Sequence, residues 1–129
     1  MNYGFVKVAA AVPQVKVADC FYNIQQIEGL MRQASQKEVQ IIAFPELSVT
    51  SYTCMDLFSQ ETLLRNAEKA LLDLVNNTAD LDLLTIVGCP LVSGSQLINA
   101  AVAFQRGEIL GYFSPIFFYF CIFARKYII

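Results

Sequence analysis

The sequence predicts an α/β domain whose sheet begins with parallel strands and continues as an antiparallel meander. Two observations predict this class. An apolar strand, an amphipathic helix and a second apolar strand follow one another, which is the order of a βαβ unit with parallel neighbouring strands. Further along, apolar strands are separated by short turn segments rather than by helices, as in antiparallel hairpins. The length of 129 residues fits one such domain.

The first part of the chain supplies the predicted βαβ unit. Residues Tyr3–Val12 are nearly all apolar and end before a proline, which is typical of a strand covered on both faces. Across Asp19–Lys37 apolar residues recur every three or four positions, so we predict an amphipathic helix with Asp19 as its N-cap. Residues Val39–Phe44 read as the next buried strand, which stops at Pro45.

The second part adds a helix and the meander. Residues 46–58 are irregular, and a second helix is predicted over Ser59–Asn76 with Ser59 as its N-cap. Three further strands are predicted after it, over Leu83–Val92, Gln96–Phe104 and from Ile109 onwards. No internal repeat interrupts this order, so the sequence predicts one continuous sheet.

Composition excludes several classes of chemistry. The chain contains no His, and therefore no Cys–His or Ser–His nucleophile pair, no His-bound metal and no imidazole to move protons. Its net charge of −2 provides no basic surface, so no nucleic-acid partner is expected. The four cysteines form no CxxC pair, and the N-terminus lacks the basic segment of a signal peptide. We therefore predict reduced thiols and a cytoplasmic protein.

Residues 112–129 differ in composition from the rest of the chain. Fourteen of these eighteen residues are apolar and eight are Phe or Tyr, while Arg125 and Lys126 carry the only charges. The unbroken apolar run Ile116–Ala124 is shorter than the 20 or so residues that a membrane-spanning helix needs, so a membrane partner is not expected. Three explanations stay open: a membrane segment, a core strand with a short end, or a frame-shifted tail, which we favour.

The strongest candidate for chemistry is a carboxylate at the end of a predicted strand. In α/β sheets, ligands bind beyond the carboxyl ends of the strands. Glu46 stands at such an end, directly after Phe44 and Pro45, with apolar residues on both sides. A partly buried carboxylate in this position would suit proton transfer, although a solvated loop carboxylate is the more common meaning of the same pattern.

Other candidate residues have ordinary structural alternatives. Cys54 lies eight residues after the glutamate and could be a nucleophile, but a small apolar filler is the more common role of a lone cysteine. Cys20 on the helix stripe and Cys89 within a strand are predicted core residues. Tyr52 could donate a hydrogen bond into a pocket or simply pack. The isolated glycines form no phosphate-binding loop.

Several segments in order resemble the carbon–nitrogen hydrolase (nitrilase) superfamily. Phe44-Pro45-Glu46-Leu47 after a βαβ unit is similar to the family's catalytic-glutamate motif, and Ser51-Tyr52 follows where the family commonly has Gly-Tyr. The other matching segments are Asp56-Leu57-Phe58, Val87-Gly88-Cys89-Pro90, Asn99-Ala100-Ala101-Val102 and Gly107-Glu108-Ile109-Leu110-Gly111. The first of these resembles the glutaminase domain of glutamine-dependent NAD+ synthetases. The resemblance covers residues 3–111 and stops where the composition changes.

The resemblance implies a nitrilase-like α-β-β-α sandwich with a Glu–Lys–Cys triad. Residues 1–111 would form the N-terminal part of that domain, and 112–129 an aromatic-rich tail outside it. Glu46 would be the general base and Tyr52 a substrate-binding residue. The lysine is expected near position 115, where this chain has Pro115, and the nucleophilic cysteine beyond the end of the chain. No metal ligand is implied.

Two cysteines and one lysine of this chain do not match the lysine and cysteine positions of the implied triad. Cys54 superficially resembles the family's nucleophile segment, but it lies in the loop after the glutamate, so we treat it as a coincidence. Cys121 has no matching context, and Lys126 is the only lysine after residue 111.

The reaction implied by the resemblance is hydrolysis of an amide, with glutamine as the expected substrate. The ammonia would pass to a separate synthetase domain, to which ATP and Mg²⁺ would belong, so no cofactor is expected in this chain. With two triad members missing, the chain is expected to be inactive alone. Its expected partners are the small amide and further copies of itself.

Two non-catalytic alternatives remain. The chain could be an α/β module whose aromatic tail docks on a partner or a membrane surface. Alternatively, the tail could supply a strand of the sheet, whose exposed edge would then favour dimers or aggregates.

Overall fold

Five strands and two long helices make up the part of the chain that the computed structural model describes, residues 4–114. The strands are β1 Val8–Ala10, β2 Ile41–Ala43, β3 Leu84–Ser93, β4 Gln96–Gln105 and β5 Glu108–Phe113. The long helices are α1 Cys20–Gln36 and α2 Glu61–Asn77, and a 3₁₀ segment, Tyr52–Ser59, precedes α2.

The strands form one sheet in the order of the chain, β1-β2-β3-β4-β5. β1, β2 and β3 are parallel neighbours, whereas β3, β4 and β5 pair antiparallel through short turns. The predicted α/β class, the parallel βαβ unit and the meander are therefore confirmed.

Helix α1 begins and packs as its sequence pattern predicts. The Asp19 side chain accepts a hydrogen bond from the backbone N–H of Tyr22, which satisfies one of the unpaired donors of the first turn. Ile24, Ile27 and Met31 lie on the buried stripe and contribute to the core between helix and sheet. The predicted cap and the predicted stripe are both confirmed.

The predicted N-cap of α2 is wrong. The helix begins at Glu61, and its N-cap residue is Gln60, whose side chain makes no capping hydrogen bond. Ser59 instead closes the preceding 3₁₀ segment, where its hydroxyl donates to the carbonyl of Asp56 at 2.6 Å. Ser59 therefore lies inside the 3₁₀ segment, one residue before the cap position, and its hydroxyl makes its hydrogen bond within that segment.

The prediction that the first strand is covered on both faces is also wrong. Only Val8–Ala10 pair with β2, because β2 itself is three residues long. β1 lies at the edge of the sheet, and among residues 4–114 no element packs over its outer side, so Val8 is 65% exposed. An apolar run identifies a strand but does not reveal which neighbours cover it.

Strand β5 extends through Gly111 to Phe113. It therefore continues past residue 111, where the change of composition predicts the end of the matching domain. The three explanations of the tail, and the positions of Cys121 and Lys126, concern residues outside the described part of the chain. Within residues 4–114, no helix is both long enough and apolar enough to cross a membrane.

Candidate active site

Glu46 follows the end of β2, where the chain turns over the neighbouring strand β3. The backbone of residues 45–47 lies directly against Gly88. A Cβ atom on that residue would stand 2.3 Å from the Leu47 nitrogen and 2.7 Å from the Pro45 carbonyl oxygen. The carbonyl of Gly88 also accepts a hydrogen bond from the Val49 N–H at 3.2 Å. Because glycine has no Cβ atom, Gly88 allows the backbone of the glutamate loop to pack directly against β3.

The Glu46 carboxylate meets an asparagine from a strand that is distant in sequence. The side-chain amide of Asn99, on β4, donates a hydrogen bond to the Oε1 atom of Glu46. Both side chains are half-buried. Because the bond occupies one carboxylate oxygen, it fixes the orientation of the carboxylate and leaves the second oxygen for another group.

Asn99 is the site residue that the sequence analysis missed. It was noted only as part of a matching strand segment, yet it is the one polar side chain between Leu97 and Phe104. A lone amide in an otherwise apolar strand was the available signal, because buried polar groups need a partner. Which partner it has depends on the register of β3 and β4, where Asn99 lies opposite Pro90.

Glu46 and Asn99 line a cavity of about 350 Å³. Its other lining residues are mostly apolar: Leu47, Tyr52, Met55, Phe58, Pro90, Leu97 and Ile98. A pocket with apolar walls and a few convergent polar groups is the usual form of a small-molecule site. The structure thus brings Tyr52, which is 59% exposed, to the same cavity as Glu46. The proposed roles of these two residues stay predictions.

The described cysteines lie in the core and not in this cavity. Cys54 is 2% exposed, and its thiol donates to the Thr50 carbonyl at 3.0 Å. Burial, with a smaller contribution from Cys54, raises the pKa of the Cys20 thiol to about 11. Burial likewise raises the pKa of Cys89 far above its ordinary value. Since the thiolate is the nucleophilic form, Cys20 and Cys89 are inert near neutral pH, in agreement with their predicted packing role.

Helix α1 holds the loop that follows the glutamate. The fully buried side-chain amide of Asn23 donates to the carbonyls of Lys16 and Val49, each at 2.9 Å, and its oxygen accepts from the Lys16 N–H at 2.7 Å. The Ala18 N–H adds a bond to the Thr50 carbonyl at 2.9 Å. The loop after Glu46 is therefore tied to α1 on one side and to β3 on the other.

Residues 4–114 contain no group of three or more Cys, Asp or Glu side chains arranged to hold a metal ion. The lysine and the nucleophilic cysteine that the resemblance implies are not among the residues around the described cavity. What the described site offers is an oriented carboxylate beside a small, mostly apolar cavity.

The fold and the site together define the class of protein. The carbon–nitrogen hydrolase family model matches residues 7–115, so the chain belongs to the carbon–nitrogen hydrolases. This confirms the resemblance inferred from the motifs around Glu46.

Within that class, the chain is similar to the N-terminal region of glutamine-dependent NAD+ synthetases. It is 36% identical over 110 residues to the enzyme from Mycobacterium tuberculosis, a match that covers 85% of this chain and 16% of the enzyme. It is 36% identical over 101 residues to that from Aquifex aeolicus, covering 78% of this chain and 18% of the relative. The chain thus spans about one sixth of the length of these relatives.

Solved structures show the same fold. A glutamine-dependent NAD+ synthetase from Cytophaga hutchinsonii superposes with a TM-score of 0.80 at 21% identity, over 87% of this chain and 19% of that chain. An amidase of the nitrilase superfamily from Nesterenkonia AN1 superposes with a TM-score of 0.76 at 18% identity, over 87% of this chain and 43% of the amidase. The nitrilase-like fold class is therefore confirmed for the part of it that this chain supplies.

Proposed function

We propose that this chain is the N-terminal part of a glutaminase domain, which releases ammonia from glutamine for the synthesis of NAD+. The observation that carries the proposal is the Glu46 carboxylate, which is oriented by Asn99 beside a cavity of about 350 Å³. It is supported by the sequence similarity to glutamine-dependent NAD+ synthetases along 85% of the chain.

In this proposal Glu46 acts as the general base. Its free oxygen takes the proton of a cysteine thiol, and the thiolate attacks the amide carbon of glutamine. The proton is then given to the amide nitrogen as the C–N bond breaks, so that ammonia leaves and a thioester forms, which water hydrolyses to glutamate. A lysine stabilises the negative charge that develops on the amide oxygen. Tyr52, at the exposed side of the cavity, contacts the substrate. ATP and Mg²⁺ act in a separate synthetase domain, and the whole enzyme works in the cytoplasm.

The 129-residue chain is proposed to be inactive by itself. The cysteine and the lysine of the triad have no counterpart at the described site, and triad members act as a unit, so most of the rate enhancement is lost without them. We expect the purified chain to release no ammonia from glutamine above the level of a Glu46→Gln variant. Ammonia release that depends on Glu46 would contradict the proposed incompleteness.

The proposed function is tested in a full-length enzyme. The matching region of the M. tuberculosis synthetase is replaced by the 110 residues of this chain that align with it. We expect the chimera to make NAD+ with glutamine as the nitrogen source. A chimera that folds and uses free ammonia, but never glutamine, would contradict the proposal, because its synthetase domain would be intact and its glutaminase domain would not.

The non-catalytic alternatives depend on residues outside the described part of the chain. Docking through the aromatic tail and an added strand from the tail therefore stay predictions.

A further inference from the structure

Every third residue of the 3₁₀ segment faces the candidate active-site cavity. Tyr52, Met55 and Phe58 all line it. A 3₁₀ helix has three residues per turn, so this spacing brings the three side chains to one side of the segment. Cys54 and Leu57, also three residues apart, lie on the other side, where Cys54 is buried and Leu57 packs against the core. The segment is therefore a wall of the cavity whose back is fixed to the protein interior.

The backbone of Met55 is strained. Its φ of +51° and ψ of −121° interrupt the 3₁₀ segment. These angles match the first central position of a type II′ turn, which glycine usually occupies. For a residue with a side chain this conformation is costly, and it persists only where the surrounding structure holds it in place.

Hydrogen bonds on both sides of Met55 hold this conformation. Before it, the Cys54 thiol donates to the Thr50 carbonyl at 3.0 Å. After it, the Ser59 hydroxyl donates to the Asp56 carbonyl at 2.6 Å. The two neighbours of Met55 are thus fixed, so the point at which its side chain leaves the segment beside the cavity is fixed as well.

The packing of the described residues does not explain why a methionine stands at this position. Met55 is 77% exposed among residues 4–114, so its side chain removes little apolar surface from water there. Glycine would adopt the same backbone angles without strain. Strained residues cluster at active sites and ligand clamps, and Met55 lines the cavity that also contains Glu46 and Asn99.

We propose that Met55 is a specificity-determining residue of the glutaminase site, whose side chain contacts the methylene groups of the amide substrate. The inference rests on the proposed function. The polar groups of Glu46 and Asn99 suit the reacting amide, whereas Met55 offers apolar surface to the carbon chain that carries it. An unbranched, polarisable thioether adapts well to such a chain. The apolar surface of Met55 is then covered when the substrate binds.

The chimeric M. tuberculosis synthetase tests the proposal through the KM for glutamine. Met55→Gly and Met55→Ala both remove the thioether, and each should raise the KM about tenfold, since small apolar groups in a pocket change discrimination about 10- to 200-fold. The kcat should change less than about twofold, as expected when binding alone is lost.

Two control variants show whether the effect belongs to the apolar contact. Met55→Leu keeps an apolar side chain of similar volume, so its KM should stay within about twofold of the parent KM. Leu72→Ala shortens an apolar residue of α2 that is 46% exposed and does not line the cavity, and it should leave the KM unchanged.

Thermal unfolding of the 129-residue chain separates the contact from the strain and shows whether each variant folds. Met55→Gly relieves the strained backbone, whereas Met55→Ala does not. The midpoint of the glycine variant should therefore lie above that of the alanine variant by about 3–6 °C.

Three results would overturn the proposal. If the chimera uses glutamine and neither Met55→Gly nor Met55→Ala moves the KM, the inference is wrong and the proposed function stands. A glycine variant that unfolds below the alanine variant would show that Met55 is not strained, which removes the basis of the inference. A chimera that makes NAD+ from free ammonia but never from glutamine contradicts the proposed function and the inference together.

Discussion

At the scale of single residues, the position of Glu46 depends on Gly88. The atoms that a Cβ at Gly88 would meet are the backbone atoms of Pro45, Glu46 and Leu47, all closer than 3 Å. Backbone atoms cannot move aside like the end of a flexible side chain, so any larger residue displaces the glutamate loop from β3.

We therefore predict that Gly88→Ala lowers the free energy of unfolding by about 3 kcal/mol, the upper range for an overpacked site. Gly29, in the middle of α1, has no heavy atom within 4 Å of a built Cβ and is the matched control. Gly29→Ala should raise stability by about 0.5–1 kcal/mol, since alanine is the better helix former. Urea unfolding measures both changes, and a Gly88→Ala chain as stable as the wild type would contradict this packing.

Ser51 is a second residue whose backbone conformation matters. Its φ of +78° and ψ of +146° lie in a region that glycine adopts readily and other residues rarely. The family commonly has glycine at the position that Ser51 occupies. Its hydroxyl compensates for this conformation only in part. It accepts a long hydrogen bond, 3.4 Å, from the Thr53 N–H, and it shares a hydrogen bond of 3.2 Å with the Thr53 hydroxyl.

We predict that Ser51→Gly stabilises the chain by about 1 kcal/mol, because relief of a strained conformation worth about 1–3 kcal/mol exceeds the loss of the two hydrogen bonds to the exposed residue Thr53. Ser51→Ala removes the same hydroxyl but keeps the strain, so it should destabilise slightly. Thermal unfolding of the two variants separates the contributions. A glycine variant less stable than the alanine variant would show that Ser51 is not strained.

At the scale of elements, α1 and the loop after Glu46 are joined by one buried side chain. Asn23 uses its amide nitrogen and oxygen to bind Lys16 and Val49, so it ties the segment before the helix and the segment after the glutamate to the helix itself. Its removal leaves buried backbone groups without partners.

Asn23→Ala should therefore lower the free energy of unfolding by about 3 kcal/mol, as expected for the loss of a buried hydrogen-bond network. Asn76, an exposed asparagine on α2, provides the comparison. Asn76→Ala should change stability by less than about 0.5 kcal/mol, as is usual at the surface. Equal effects of the two substitutions in urea unfolding would disprove the anchoring role of Asn23.

The elements themselves were largely predictable from periodicity, whereas their surroundings were not. Helix α1 could be predicted because its apolar stripe and its cap at Asp19 are both local sequence patterns. The exposure of β1 and the bond between Asn99 and Glu46 depend on which strands become neighbours. That bond joins residues 53 positions apart, so no local pattern contains it.

At the scale of the whole molecule, residues 4–114 form one sheet with a helical layer on one face and carry the oriented Glu46 carboxylate. Chains that this protein resembles are more than twice as long, as in the amidase of which it covers 43%. The family could be inferred from ordered motifs, but the tail after Gly111 matches none of them and its role stays a prediction.

We propose above all that the Glu46 carboxylate is the base of an amide-hydrolysing site. The most direct test compares glutamine and free ammonia as nitrogen sources for NAD+ synthesis by the chimeric M. tuberculosis enzyme, with and without Glu46→Gln. A general base contributes about 10²–10⁴-fold to rate, so we predict a loss of at least 100-fold with glutamine and no change with ammonia. Glutamine-dependent synthesis that survives the substitution would contradict the account.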